Sequence, residues 1–386
     1  MASAITPQSA AQVRPASDPA HAVSRRRGKP DDGLAASSRV SSWRVERELG
    51  RGGMSSVHAV VHTKFGKRAA IKIAHRSVLK TGMSAETFLR EARIVHTVQH
   101  PAVIDVFATG SHDGRPYLVM ERLAGMPLGR RVDDGPPLPR REVIEILLEL
   151  CHVLRAAHEA GIVHRDLKLD NVFLCDTPFA DGRRVKLLDW GVAHIEGEED
   201  PFRGLIAGTL TYVAPEQIRG DAMTGGADIY SLGVLAYTLL CRRAPFAGSD
   251  LALLQMHLRA EPPRASLAWP ECPPDLENLM CWMMAKKAEH RPSLDEIEDV
   301  LRGALGVVEQ PIQFAEGSNP NIVLPAQPPK AESWLTRWLK PGATLKPLED
   351  MKADALGRPV LPLPSFKLGW IAVAISAATL AIGWLS

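Results

Sequence analysis

Two periods of apolar residues follow one another along the chain. Short runs rich in β-branched residues come first, Ser56 to Val61 and Ala69 to Ile73, and their length and composition predict strands. Longer stretches with helical spacing come next. Val143 to Glu159 carries Ile146, Leu147, Leu150, Val153, Leu154 and Ala157 as one apolar stripe, which predicts a long amphipathic helix. Ile229 to Leu240 is apolar nearly all round, the pattern of a buried helix, and Glu86 to Ala92 also reads as helical. The expected architecture is α+β, a strand-rich lobe over 43–122 followed by a helical lobe over 123–305.

The flanks have another texture. Residues 1–42 are rich in Ala, Ser, Pro and Arg and almost free of aromatics, too little apolar surface to offset chain entropy, so a disordered arm is expected. Arg25, Arg26 and Arg27 precede Gly28-Lys29-Pro30-Asp31-Asp32, where an export signal would have its apolar stretch; the cluster reads as solvated charge. Over 306–367, prolines at 311, 320, 325, 328, 329, 341, 347, 359, 362 and 364 predict a linker. One island within it, Trp334 to Lys340, puts two Trp and two Leu on one side of a short helix, suited either to a membrane surface or to the globular domain. Residues 368–385 carry no charge, and at helical rise they cover roughly 27 Å, which predicts a C-terminal membrane-spanning helix in the inner or plasma membrane. Lys352, Arg358 and Lys367 precede it, so the positive-inside tendency keeps the preceding domain cytoplasmic. A homodimer through small residues such as Ala374 and Ala378 stays open.

Composition narrows the class of partner. Across 386 residues, 46 Lys+Arg against 44 Asp+Glu leave a net charge of +2, so no overall field draws the chain to nucleic acid, and none is expected as a partner. With 45% hydrophobic and 23% charged residues the bulk is ordinary globular protein. Cys151, Cys175, Cys241, Cys272 and Cys281 are scattered without metal-ligand spacing and read as reduced core thiols.

The candidate chemistry lies in three pieces. Leu49-Gly50-Arg51-Gly52-Gly53-Met54-Ser55-Ser56-Val57 falls between two expected strands, where glycines allow a tight turn whose amides approach phosphates; by itself it reads equally well as a Gly-rich hairpin without a ligand. About twenty residues later Lys72 sits in the apolar strand Ala70-Ile71-Lys72-Ile73, either a solvated cation or one placed to neutralise phosphate oxygens, and Glu91 supplies a carboxylate either to hold that ammonium or for a surface i,i+4 pair. The third piece is His164-Arg165-Asp166-Leu167-Lys168-Leu169-Asp170-Asn171, then Asp189-Trp190-Gly191, then Ala214-Pro215-Glu216. In order and spacing these motifs resemble the protein kinase family over 43–305, in particular the bacterial, eukaryotic-like Ser/Thr kinases, whose Gly-Gly-Met-Ser loop this chain shares.

The resemblance implies a bilobal fold, Mg-ATP as phosphoryl donor and Ser or Thr hydroxyls of proteins as acceptors. It makes Asp166 the catalytic base, sets Lys168 on the γ-phosphate, and gives Asn171 and Asp189 to Mg²⁺. It places Thr209 between Asp166 and Lys168. Met120 takes the gatekeeper place, backbone groups of Glu121 and Leu123 pair with adenine, and Leu49, Val57, Ala70 and Phe173 sandwich the ring. Asp228 holds the catalytic-loop backbone, and Arg291 pairs with Glu216.

Three departures from the family are visible. Trp190 replaces the usual Phe, and Ser55 replaces the third loop glycine. The segment from Val192 to Gly208 contains no Ser, Thr or Tyr and instead carries Glu196-Gly197-Glu198-Glu199-Asp200. In the family, the Arg at the position of Arg165 engages a phosphate; here the four carboxylates either stand in for it or form a solvated acidic loop. A pseudokinase scaffold, tethered to the lipid bilayer and binding nucleotide without catalysis, is the competing reading, and it predicts a missing catalytic group. Lys72, Glu91, Asp166, Lys168, Asn171 and Asp189 are all present.

Overall fold

Strands form where the β-branched runs lie. β1 (Arg39–Val40), β2 (Trp43–Arg51), β3 (Ser55–His62) and β4 (Arg68–Ala74) come first, then α1 (Arg76–Lys80) and α2 (Ala85–Val98), then β5 (Val106–His112) and β6 (Arg115–Met120). The computed structural model describes residues 33–80, 84–202 and 209–308, all in the first of the chain's two units, 1–313; the second, 314–386, lies outside the described residues. The six strands pair antiparallel in the order β1-β2-β3-β4-β6-β5. Register fixes which side chains share a face. Val45, Val60 and Ala69 form one cross-strand row, and with Val40, Ile71, Ile73, Tyr117 and Val119 they bury one face of the sheet. Val57, Lys72 and Leu118 form a row of the opposite face, next to the row of Ala59, Ala70 and Met120, and this face carries the site.

Helix α2 begins on a side-chain cap, Ser84 Oγ accepting the amide of Thr87 at 2.9 Å. Its inner face buries Phe88, Ala92, Ile94, Val95 and Val98, and Glu91 lies among them at 3% exposure.

The remaining described residues are mostly helical: β7 (Gly125–Pro127), α3 (Leu128–Asp134), α4 (Arg140–Glu159), β8 (Ile162–Val163), β9 (Val172–Cys175), β10 (Val185–Leu187), β11 (His194–Ile195), α5 (Pro215–Arg219), α6 (Gly226–Cys241), α7 (Asp250–Arg259), α8 (Pro274–Met283) and α9 (Leu294–Val308). The stripe on α4 is buried as its spacing predicts, and every residue of α6 from Ala227 to Tyr237 is buried. Gly233 lets α6 and α8 meet closely, since a Cβ there would lie 2.7 Å from the Cβ of Met283. One apolar cluster, with Ile94 and Val95 at one end and Leu147, Trp190 and Leu232 at the other, runs through both lobes. Four cysteines are buried and Cys281 is half-buried, all as free thiols.

Two boundaries differ from the sequence reading. The arm expected over 1–42 is structured at its end: Val40 pairs with Trp43 and is fully buried, and Leu34 packs on the same cluster. Val40 and Leu34 add two apolar side chains to the cluster on that sheet face, a contact that composition over forty residues does not register. The linker expected from 306 begins later, because α9 continues to Val308 and the first proline is Pro311. The rest of the arm, the linker with its Trp334 to Lys340 island, the span at 368–385 and Ala374 and Ala378 lie outside the described residues. Among the described residues no helix is long and apolar enough to cross a membrane.

Candidate active site

Strand β2 turns into β3 through Gly52, Gly53 and Met54, closed by Gly52 N–H donating to Ser55 carbonyl at 2.9 Å. None of Gly50, Gly52 and Gly53 adopts a left-handed backbone. A Cβ at Gly50 or Gly53 would meet nothing within 4 Å, and one at Gly52 only the Ser55 carbonyl at 3.8 Å. Neither backbone nor packing demands glycine at these positions. What glycine keeps is open space beside the backbone of the turn, the requirement for close approach of a phosphate chain.

On the site face of β4, Lys72 reaches two carboxylates. Its Nζ lies 2.7 Å from Glu91 Oε2 on α2 and 2.8 Å from Asp189 Oδ1 after β10. Burial works against the ammonium, but the pull of Asp189 and Glu91 outweighs it and raises the Lys72 pKa. Burial pushes the Glu91 carboxyl up against the opposing pull of Lys72, and Lys72 holds the Asp189 carboxyl down at about 2. Lys168 is a further cause of the Asp189 shift, so the cations at 72 and 168 act on one carboxylate.

The loop after β8 carries the second cluster. Lys168 Nζ lies 2.6 Å from Asp166 Oδ2, and Asn171 Nδ2 donates to the same oxygen at 3.0 Å and to the Asp166 carbonyl at 2.8 Å. Both side-chain bonds end on Oδ2; Oδ1 has no partner among the described residues. The loop is held from beneath by Asp228, fully buried in α6. Asp228 Oδ2 accepts the amide of His164 and Oδ1 that of Arg165, each at 2.8 Å, and His158 Nε2 lies 2.9 Å from Oδ2. Desolvation opposes the Asp228 charge, but His158, His164 and the Arg165 amide outweigh it and lower its pKa. Gln217 Nε2 donates to the Arg165 carbonyl at 2.9 Å. These bonds hold Arg165 at φ 68°, a left-handed conformation that a non-glycine residue adopts at a cost; Asp189 is left-handed too, at φ 60°.

Trp190 fits the place usually taken by Phe. It is fully buried, its ring centroid lies 4.6 Å from that of His164, and its indole N–H donates to Leu187 carbonyl at 3.2 Å, so the extra polar atom is satisfied. Asp200 Oδ2 accepts from Arg165 Nη1 at 2.7 Å, and Glu198 Oε2 lies 2.6 Å from Arg93 Nη2 and 3.4 Å from Arg90 Nη2 on α2. Glu216 and Arg291 form a buried two-pronged pair at 2.5 and 2.8 Å.

At the lobe junction β6 ends on Met120. The amide of Glu121 is already used, donating to Asp105 carbonyl at 2.9 Å, so of the two hinge residues the Glu121 carbonyl and the backbone of Leu123 remain without a partner among the described residues. This narrows the expectation for Glu121 to its carbonyl. Its side chain accepts the Asp105 amide and pairs with Lys186 of β10. Ala70 is buried, Val57 and Phe173 are half-buried, and Leu49 is 41% exposed. Thr209 is exposed; among the described residues it makes no hydrogen bond to Asp166 or Lys168, which pair directly with each other. His158, Gln217, Arg90, Arg93 and Lys186 escaped the sequence reading. Only Gln217, next to the Ala214-Pro215-Glu216 motif, and Arg90 with Arg93, one helical turn apart beside Glu91, left any signal.

Residues 43–301 match the protein kinase domain family. Among curated proteins, the serine/threonine-protein kinase Pkn1 of Myxococcus xanthus is 40% identical over 275 residues, 69% of this chain and 39% of that protein. PknB of Mycolicibacterium smegmatis is 32% identical over 252 residues, 63% of this chain and 39% of that one. The chain thus spans about two fifths of the length of these relatives. The solved kinase domain of PknI from Mycobacterium tuberculosis, a double mutant, is 25% identical with a TM-score of 0.58, covering 71% of this chain and all of that one. With Lys72, Glu91 and Asp189 in one ion-paired cluster, Asp166, Lys168 and Asn171 in a second, and two thirds of the sequence matched, the chain belongs to the protein kinase family.

Proposed function

We propose that the chain is a Ser/Thr protein kinase that transfers the γ-phosphoryl group of Mg-ATP to Ser or Thr hydroxyls of proteins. One observation carries the reading: Asp166 keeps both side-chain bonds on Oδ2, leaving Oδ1 open beside Lys168, whose charge is felt at Asp189. An incoming hydroxyl donates to Oδ1 and is thereby oriented; its oxygen bonds to the γ-phosphorus, the bond to the β,γ-bridging oxygen breaks, and the proton passes to Asp166. Lys72 and Lys168 stabilise charge on the phosphates, and the turn over 50–53, with no side chain at three of its four positions, lets the phosphates come close to its backbone. Leu49, Val57, Ala70 and Phe173 wall the adenine site beside Met120, with the Glu121 carbonyl and Leu123 backbone for the base.

The donor set fits Mg²⁺. Asn171 spends its Nδ2 on Asp166, leaving its amide oxygen, and Asp189 spends Oδ1 on Lys72, leaving Oδ2. Two hard oxygens suit a cation that takes its remaining ligands from phosphates and water. Mg²⁺ bound there neutralises phosphate charge. The names of the relatives, serine/threonine-protein kinases, support the acceptor class.

Transfer of labelled phosphate from ATP to a generic protein substrate is expected to stop on chelation, return with added Mg²⁺, and fall about 10²–10³-fold in Lys72→Met, the scale for one lost charge-stabilising donor. Nucleotide binding without transfer in the natural chain would instead establish the scaffold reading. Residues 368–385 are proposed to anchor this domain on the cytoplasmic side of the membrane. The full chain should pellet with membranes while a chain ending at residue 367 stays in the supernatant, and equal distribution of both would remove the anchor.

A further inference from the structure

The acidic run 196–200 is built into the site, and two of its four carboxylates do different jobs. Asp200 grips Arg165, whose side chain is 4% exposed and whose backbone is left-handed directly before Asp166. Glu198 grips Arg93 and Arg90 of α2, and Arg90 lies one residue from Glu91, the carboxylate that holds Lys72. Arg90 Nη1 also donates to Ala193 carbonyl at 2.6 Å, so α2 is tied to the backbone of the same segment. Glu196 and Glu199 are exposed and have no side-chain partner among the described residues.

We infer that Asp200 and Glu198 are positioning residues that clamp the Asp166 loop and helix α2 into their catalytic arrangement, so that the segment works without being phosphorylated. The inference rests on the kinase reading above. Its physical basis is direct. Arg165 is held where an uncompensated buried cation would be costly, and Asp200 supplies the counter-charge from a different part of the chain. Desolvation opposes the Asp200 charge, yet Arg165 and the amide of Phe202, donating to Oδ1 at 2.9 Å, keep its carboxyl below the ordinary range, so the clamp is charged at neutral pH. Glu198 gives α2 two charge-assisted contacts at the end of the helix surface that faces the segment, and rotation of α2 would separate Glu91 from Lys72. A segment with no Ser, Thr or Tyr from 192 to 208 offers no hydroxyl to modify, and these ion pairs supply the order that a modification would add.

The test uses the full chain after phosphatase treatment, with mass spectrometry confirming removal of phosphate. Asp200→Asn is expected to lower kcat about ten- to a hundredfold, the range for one lost charge-assisted hydrogen bond, and Glu198→Gln, whose pair with Arg93 is exposed, up to about fivefold. Glu199→Gln should match the natural chain. Asp200→Glu should recover part of the loss, which a role in packing alone would not produce. Charge exchange in Glu198→Arg with Arg93→Glu should recover activity lost in Glu198→Arg alone. Hydrogen–deuterium exchange gives a readout independent of turnover: amides of 84–98 and of 163–171 should exchange faster in the Asn and Gln variants, with global stability unchanged. Unchanged kcat together with unchanged exchange in these regions would overturn the clamp even in an active kinase. A natural chain inactive with any protein substrate counts against the kinase reading instead, and the exchange data still decide the clamp. Loss of activity in the natural chain itself on phosphatase treatment would also overturn it.

Discussion

Asp166→Asn is expected to lower kcat by about 10²–10⁴-fold, the span that general acid–base catalysis contributes, with little change in the KM for ATP. The substitution is close to isosteric, so the effect is chemical. Lys168 at 2.6 Å and Asn171 at 3.0 Å both donate to one oxygen of residue 166. The Asn amide oxygen will turn to these two donors and leave its NH₂ where Oδ1 was. A group that accepted a hydroxyl proton becomes one that donates, and no basic oxygen remains. Asp228 and Gln217 still hold the loop backbone, so denaturation midpoints should shift little. Labelled-phosphate transfer by the natural chain and the variant, purified in parallel, checks this, and equal rates would remove Asp166 as the base and point to a contaminating activity.

The largest effect on stability is expected from Arg291→Leu, about 3–5 kcal/mol, because it leaves the Glu216 carboxylate in the interior without a partner. The side chains of Glu216 and Arg291 are 5% and 0% exposed, and Arg291 also donates to Gly226 carbonyl at 2.7 Å and Ala285 carbonyl at 2.9 Å. Four bonds therefore converge on one guanidinium, tying α5, α6 and the turn before α9. Glu216→Gln should cost less, since the amide keeps one acceptor for the fork. Replacing both residues together by apolar ones should cost less than the sum of the single changes, because no buried charge is then left unpaired. Urea denaturation of the natural chain, the single variants Arg291→Leu, Glu216→Gln and Glu216→Leu, and the Arg291→Leu/Glu216→Leu double measures all three comparisons. A loss below about 1 kcal/mol in Arg291→Leu, the scale of an exposed ion pair, would mean that water reaches the pair.

How much of this was legible in the sequence depends on distance along the chain. Helix α4 follows from a period of 3.6, because a half-buried helix must repeat its apolar residues at its own pitch, whereas β3, β4 and the all-round apolar α6 follow from the length and composition of their runs. Lys72, Glu91, Asp166, Asn171 and Asp189 were readable as types at fixed spacings in motifs. The ion pairs were readable only as charges: nothing near Glu198 in the sequence says that Arg93, 105 residues earlier, is its partner, and nothing in α4 singles out His158 for Asp228. Val40 was missed because one buried side chain disappears in the average over an Ala- and Ser-rich stretch.

Local order came from the sequence itself: which runs become strand or helix, which residue types stand at the spacings of the family's motifs, and that Val192 to Gly208 has no hydroxyl to modify. Tertiary structure alone decided that Lys72 lies between two carboxylates, that both bonds to Asp166 fall on one oxygen, that the Glu121 amide is spent on Asp105, and that two of four acidic side chains reach arginines while two face solvent. The reason is geometric. Period and propensity act over a few residues, whereas an ion pair or a buried carboxylate is settled by the packing of elements that meet only once the lobes have formed.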